Sequence, residues 1–295
     1  MELQDTPPPV RLPLTCIGFK NVKRRVIIQG EEYPIALDAE IDACISINGE
    51  RRGAHLSRNY TAIIDTLHDI NVGKSIEQYL YRIAESLLCR HHYATRATAT
   101  LRTTYHTRIS FYELSGVEPV QVEVSVELDR EKKTPKWSVS VGLYGLSVCP
   151  SAQSTIKEKL GYNDLIAPSH SQKVFAKLVI EHGEDRIIRI EDLATVLARA
   201  FSAPAFSFLK RDKEAQLIIH AHRRPRFAED IARYALLYAY NLLREKNFSK
   251  NTIIRVDVES IESIHPQNVY ASLELSISEI EELLDIPDRY LDEQH

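Results

Sequence analysis

Three long stretches in which apolar and polar residues alternate, Thr95 to Phe111, Val117 to Asp129 and Trp137 to Val148, dominate the first half of the chain. A period of two puts every second side chain on one face, so each stretch reads as a half-buried strand. The last two are separated by the polar run DREKKTPK, Asp129 to Lys136, which reads as a hairpin loop. Strands joined by so short a connection run antiparallel. The chain is thus committed to an antiparallel sheet, and its other segments must cover the apolar face.

Those segments have the required character. Residues 36–48, ALDAEIDACISIN, alternate as a further strand and lead into the turn GERRG. Residues 56–68 carry Ile63, Ile64 and Leu67 at helical spacing, and Ser75 reads as the N-cap of a second helix, with Gln78 three residues on and Ile76, Leu80, Ile83, Leu87 and Leu88 as its apolar positions. A related order recurs later: an alternating run KVFAKLVIEH at 173–182, helices at 190–201 and 227–245, and strands at 252–261 and 269–277. The pattern predicts an α+β fold of two tandem units, each an antiparallel sheet with helices on one face. A proline-rich extended lead-in at 1–16 precedes units at 17–150 and 151–295.

A formal charge of -4 over 295 residues does not suggest a dedicated nucleic-acid binder, whose footprint is a basic domain. No apolar run approaches the roughly 18 residues of a membrane span, and the opening MELQDTPPPVRLP lacks the layout of a secretory signal. The expectation is a cytoplasmic protein whose partners are small molecules or other subunits, with neither nucleic acid nor membrane among them. Cys16, Cys44, Cys89 and Cys149 show no CxxC spacing, so neither a disulfide framework nor a zinc finger is expected. Cys44 and Cys89 lie in apolar runs and read as buried free cysteines. Cys149 differs, because it stands at the point where alternation stops against Pro150.

Thiolate, imidazole and carboxylate together suit zinc or ferrous iron. Cys149, His170 in APSHSQK and Glu214 in LKRDKEAQ offer one of each, yet their spacings match no generic metal motif. The residues alone leave a metal site and unrelated side chains both open. HAHRRPRF, residues 220–227, reads as a basic loop, near a triphosphate if one binds.

Several segments resemble one known family in order along the chain. RRGAHLSRNY resembles a KG(T/A)(H/N)(M/L)SR signature, SVCPSAQ a CPC segment, PSHSQK an HNQR segment, FSFLKRDKEAQLIIHAHRRPRFAED an LLKRPDEKYVTE…NPKFVED block, and ESIHPQNVYA an ESIHNHSAYA segment. These are motifs of GTP cyclohydrolase IB, in particular its archaeal type. The resemblance implies a bimodular tunnelling fold that closes into a homodimer or homotetramer with active sites at subunit interfaces. It implies hydrolysis of GTP at C8 to formate and a dihydroneopterin phosphate, either triphosphate or 2',3'-cyclic phosphate, opening methanopterin or folate synthesis. A divalent metal, Fe(II), Zn(II) or Mn(II), is implied on Cys149, His170 and Glu214. Glu229 would hold the guanine edge and His265 would move protons beside Cys149.

Phosphates would be met by His55, Ser57 and Arg58 in the turn before a helix, with Lys173, Lys210 and Arg211 adding charge. Guanine shows two donors on one edge, which one carboxylate accepts together. Read without the family, Glu229 is a first-turn glutamate favouring a helix N-terminus. Four positions depart from the pattern: Ser151 for the second Cys of CPC, Ser171 and Lys173 in HNQR, Leu217-Ile218-Ile219 for VTE, and Gln267 for a second His. The departures keep two rival functions open, a non-catalytic purine- or pterin-binding paralogue and another tunnelling-fold enzyme acting on a purine-like ring.

Overall fold

The computed structural model describes residues 2–30, 33–68, 75–132, 134–162 and 166–284. Two compact units are interleaved along the chain: one comprises Met1–Tyr105, Gln121–Ser140 and Gly183–Ile187, the other His106–Val120, Val141–His182 and Ile188–His295. Three strands, β3 (Arg96–Phe111), β4 (Leu114–Asp129) and β5 (Lys136–Val148), contribute residues to both.

The first unit opens with a 3-10 turn, Leu3–Asp5, followed by β1 (Leu14–Gln29), β2 (Pro34–Ile47), α1 (Leu56–His68) and α2 (Ile76–Arg90). β1 pairs antiparallel with β2, and β2 with β3. Alternation in β2 buries Leu37, Ala39, Ile41, Ala43 and Ile45, while α1 contributes Ala62 and Ile63 and α2 Ile76, Leu80, Ile83 and Leu87 to the same core. Ser75 caps α2 as its sequence suggests, accepting from the Gln78 amide at 3.3 Å.

β1 is a strand that the sequence pattern does not reveal. Asn21 sits in the left-handed region at φ 57, and the ladder slips between Phe19 and Val22, so apolar positions fall out of phase across the bulge. Asp42 stabilises that bulge by accepting from the Asn21 amide at 2.7 Å. The expectation for the cysteines is overturned as well. Cys16 and Cys44 form a disulfide, because the β1–β2 ladder brings their Cα atoms to 5.4 Å, and Cys89 is exposed in the last turn of α2. Gly18, opposite Cys44, has no room for a side chain: a Cβ would lie 2.0 Å from the Ala43 carbonyl oxygen.

The second unit contains α3 (Pro150–Leu160), β6 (Ser171–His182), α4 (Ile190–Ala200), the two-residue β7 (Ala203–Pro204), α5 (Arg211–Arg223), α6 (Ala228–Glu245), β8 (Ile253–Ile261), β9 (Val269–Ser276) and α7 (Ile277–Leu283). β6 pairs with β8, β8 with β9, and β7 with β5, all antiparallel. α4 and α6 cover this sheet with Leu193, Leu197, Ile231, Ala235 and Ala239 against Leu178, Ile180, Ile254 and Val256. Gly145 makes room for Phe201, whose Cγ would stand 2.2 Å from any Cβ placed there. Among the described residues, no helix is long and apolar enough to cross a membrane.

A buried polar cluster ties the first unit together. His91 has no exposed surface; its Nε2–H donates to Asn59 Oδ1 at 2.8 Å, and its Nδ1 accepts from the Tyr93 hydroxyl at 2.8 Å. Asn59 reaches on to the Ile17 carbonyl at 3.4 Å, linking α1 to β1. Burial, with the charges of Arg58, His55, Arg51 and Arg90 behind it, lowers the His91 pKa from 6.5 to about 4. Between those values the unfolded chain binds a proton that the folded chain refuses, so stability falls as pH drops from 6.5 towards 4. The loss is expected to approach about 3 kcal/mol, and His91→Gln should flatten that part of the profile. Urea unfolding of both proteins across this pH range checks it; parallel profiles would contradict it.

Candidate active site

β5 ends where its alternation meets Cys149-Pro150, and the break proves to be a helix start. Cys149 is the N-cap of α3, in extended backbone, with Sγ accepting from the Ala152 amide at 3.4 Å. Pro150 occupies the first helical position, where its missing N–H costs nothing and its fixed φ suits the helix. α3 escapes the periodicity reading because only Gln153 of its eleven residues is buried.

The backbone brings Cys149 and His170 together. The Cys149 amide donates to the His170 carbonyl at 3.2 Å, and the Ser169 hydroxyl donates to the Cys149 carbonyl at 2.8 Å. His170 is held by a chain of side chains that sequence reasoning missed. The Ser147 hydroxyl donates to the Arg226 carbonyl at 2.7 Å, so Ser147 Oγ accepts from Gln172 Nε2 at 3.3 Å. That fixes the amide with Oε1 towards His170 Nδ1 at 3.0 Å, which must then carry the proton. Nε2 of His170 is left with its lone pair, the form in which imidazole ligates a metal. Gln172 and Ser147 are both buried. The one available signal was the Gln retained in PSHSQK.

The other expected residues are more dispersed. Glu214 is exposed in the first turn of α5, its amide bonded to the Lys210 carbonyl at 2.8 Å. Among the described residues, no three His, Cys, Asp or Glu side chains are gathered closely enough to hold a metal ion. The thiol and the oriented imidazole fit a divalent ion as donors, while the arrangement as it stands does not close a three-donor set with Glu214. Glu229 is exposed at the second position of α6 and has no partner among the described residues. Asp230 beside it accepts from the Phe227 amide at 3.1 Å and closes the helix start. His265 is exposed in the connection between β8 and β9.

Lys173 lies on β6 with Nζ 4.0 Å from the centre of the Tyr144 ring, and Lys210 and Arg211 are exposed at the start of α5. In the first unit, His55 precedes α1, Ser57 and Arg58 are exposed in its first turn, and Arg58 donates to the Arg90 carbonyl at 3.1 Å. A separate cavity of about 1390 Å³ in that unit, lined by Glu77, Arg82, Cys89, Trp137 and Arg186 among others, includes none of the expected residues.

The basic run 220–227 needs a correction. His220 to Arg223 close α5, and Arg226 is buried, so it is no phosphate-facing loop residue. Its guanidinium donates to the carbonyls of Arg199 at 2.9 Å and Ala200 at 2.7 Å, the last of α4, and lies 3.8 Å from the Tyr234 ring centre on α6. Its amide bonds the Val148 carbonyl at 2.9 Å. α5 itself escaped the sequence reading because it buries only Leu217 and Ala221.

The structure aligns with uricase from Arthrobacter globiformis over 89% of this chain and 93% of that one, at TM-score 0.55 and 8% identity. It aligns with a uricase from Bacillus fastidious over 93% and 97%, at TM-score 0.52 and 8% identity. Likeness at such identity concerns the fold alone, and it makes the protein one of the tunnelling-fold class. The family described as type I GTP cyclohydrolase folE2 matches residues 1–271, and the chain belongs to that family. It is 41% identical to the GTP cyclohydrolase MptA of Aeropyrum pernix over 284 residues, covering 96% of this chain and 98% of that protein. To the protein of the same name from Methanoculleus marisnigri it is 29% identical over 302 residues, covering 95% and 96%.

Arg226 makes a direct demand on stability. Arg226→Met removes the donors, leaving the buried Ala200 carbonyl unpaired and the Arg199 carbonyl with only the Arg224 guanidinium at 3.1 Å, a change expected to cost about 1–3 kcal/mol. Urea unfolding should show a lower midpoint at unchanged slope; a loss below about 0.5 kcal/mol would contradict the role.

Proposed function

We propose that this protein is a GTP cyclohydrolase that hydrolyses GTP at C8, releases formate and leaves a dihydroneopterin phosphate, the opening reaction of pterin synthesis. The observation that carries the reading is the pair of Cys149 and His170, tied through the backbone at 3.2 Å with the imidazole held in one tautomer, in a chain of this family. A non-catalytic paralogue is not favoured, since it would have no use for an imidazole held in one tautomer on a residue joined by its backbone to Cys149.

Cys149, His170 and Glu214 would hold the divalent ion, Fe(II), Zn(II) or Mn(II), which when bound lowers the pKa of water and supplies the nucleophile at neutral pH. The remaining work falls to the chain. Glu229, exposed at a helix start and unpaired among the described residues, accepts from guanine N1–H and the exocyclic amine. C8 is attacked twice, once to open the imidazole ring and once to release formate, and His265 carries protons to and from the ring nitrogens. His55, Ser57 and Arg58 receive phosphate at the start of α1, and Lys173, Lys210 and Arg211 add positive charge. β1 and β9 each pair on one side only among the described residues, and we take them to be covered by self-association into a dimer or tetramer. The repeat units at 17–150 and 151–295 are part of the same reading.

Glu229 supplies the test. Adenine offers an unprotonated N1 and would leave the carboxylate partly unpaired, at a cost of about 2–5 kcal/mol. Glu229→Gln should weaken GTP binding by a similar amount while bound metal, measured on the same preparation, stays constant. Unchanged GTP affinity would reduce Glu229 to a helix-start charge.

A further inference from the structure

The turn read as the phosphate site already carries anions. His55 has a carboxylate on each ring nitrogen, Glu2 Oε2 at 2.9 Å from Nδ1 and Asp5 Oδ1 at 3.2 Å from Nε2. Arg51 pairs with the same Asp5 oxygen. The Asp5 carboxyl is held below its ordinary pKa, first by the hydrogen bond from His55 and further by the charge of Arg51. Main-chain bonds keep the segment in place: the Arg52 amide donates to the Thr6 carbonyl at 2.8 Å and the Gly53 amide to the Gln4 carbonyl at 3.2 Å. The Thr6 hydroxyl closes the turn on the Leu3 carbonyl at 2.7 Å.

The basic side of this contact is not saturated. Arg51 stacks on Tyr93, its guanidinium carbon 3.7 Å from the ring centre, and its Nε–H is buried with no acceptor among the described residues. An orphaned buried donor beside an imidazole flanked by two carboxylates indicates a site with capacity for more acceptor oxygens than the carboxylates supply. The carboxylates are also poorly anchored electrostatically. Glu2 and Asp5 remain 67% and 35% exposed against 14% for His55, and ion pairs with one exposed partner contribute little. A phosphate chain brings more charge and more acceptors to the same donors.

We propose that Arg51 and His55 form an anion site on which Glu2 and Asp5 act as a built-in stand-in for phosphate, so that the polyphosphate tail of the substrate binds by displacing the N-terminal turn. This rests on reading His55, Ser57 and Arg58 as the phosphate-binding turn, and it adds Arg51 to that set. Occupation by the turn lowers apparent affinity by the fraction of molecules in which the site is covered.

Inorganic tripolyphosphate is the probe, titrated calorimetrically into the full-length protein. The double variant Glu2→Gln/Asp5→Asn should bind it about three- to tenfold tighter, the worth of two weak ion pairs, and Arg51→Met should bind it more weakly. Hydrogen exchange on the unsubstituted protein gives a readout that needs no variant: the amides of Arg52 and Gly53 should lose protection as tripolyphosphate saturates. If the double variant binds no tighter, or binds tighter while the two amides stay protected, displacement is wrong. If in addition Arg51→Met and His55→Asn leave tripolyphosphate binding unchanged, the phosphate reading of the turn fails too. Weaker binding by those two variants with the amides still protected would spare that reading and overturn only the stand-in.

Discussion

The second unit depends on one buried cation. Arg226 donates to the final carbonyls of α4, groups that no intrahelical amide can reach and that lie at the negative end of the helix dipole. Its own amide and carbonyl bind the last residues of β5, and its guanidinium stacks on α6. Burial pushes its pKa down, with Tyr238 and Tyr234 acting against that shift. One residue thus fastens the end of a strand, the end of one helix and the side of another. Cys149 follows Val148 directly and Glu229 lies three residues after Arg226, so both inherit their placement from the same clasp.

The same clasp reaches His170. From the Arg226 carbonyl through Ser147 and Gln172, each donor decides the orientation of the next group, and the last decision is which imidazole nitrogen keeps its lone pair. Such a relay fixes the imidazole in one tautomer and one orientation, which is what the metal role proposed for His170 requires. Glu214 has no comparable support among the described residues. It is exposed near the start of α5, and its proposed part in holding an ion rests on the family motif.

What could be read from sequence follows how cleanly each segment separates a buried from a solvated face. β2 to β6, α1, α2, α4 and α6 have one apolar face and were legible, as were β8 and β9. β1 was hidden by the bulge at Asn21, and α3 and α5 because they bury almost nothing. The disulfide could not be read from spacing, since only the β1–β2 register brings Cys16 to Cys44. Family motifs named Cys149, His170, Glu214 and Glu229 as candidates, whereas Gln172, Ser147 and Arg226 act through contacts between distant segments. Arg226 misled outright, because a basic cluster in sequence carries no mark of which of its members will be buried.

The most direct measurement is anaerobic incubation of the purified protein with Fe(II) and GTP carrying an isotopic label at C8, following labelled formate and pterin fluorescence together. The account expects both to appear in step, one formate for each pterin formed, and neither from ATP. A folded protein that binds GTP and Fe(II) yet releases no label from C8 would contradict it.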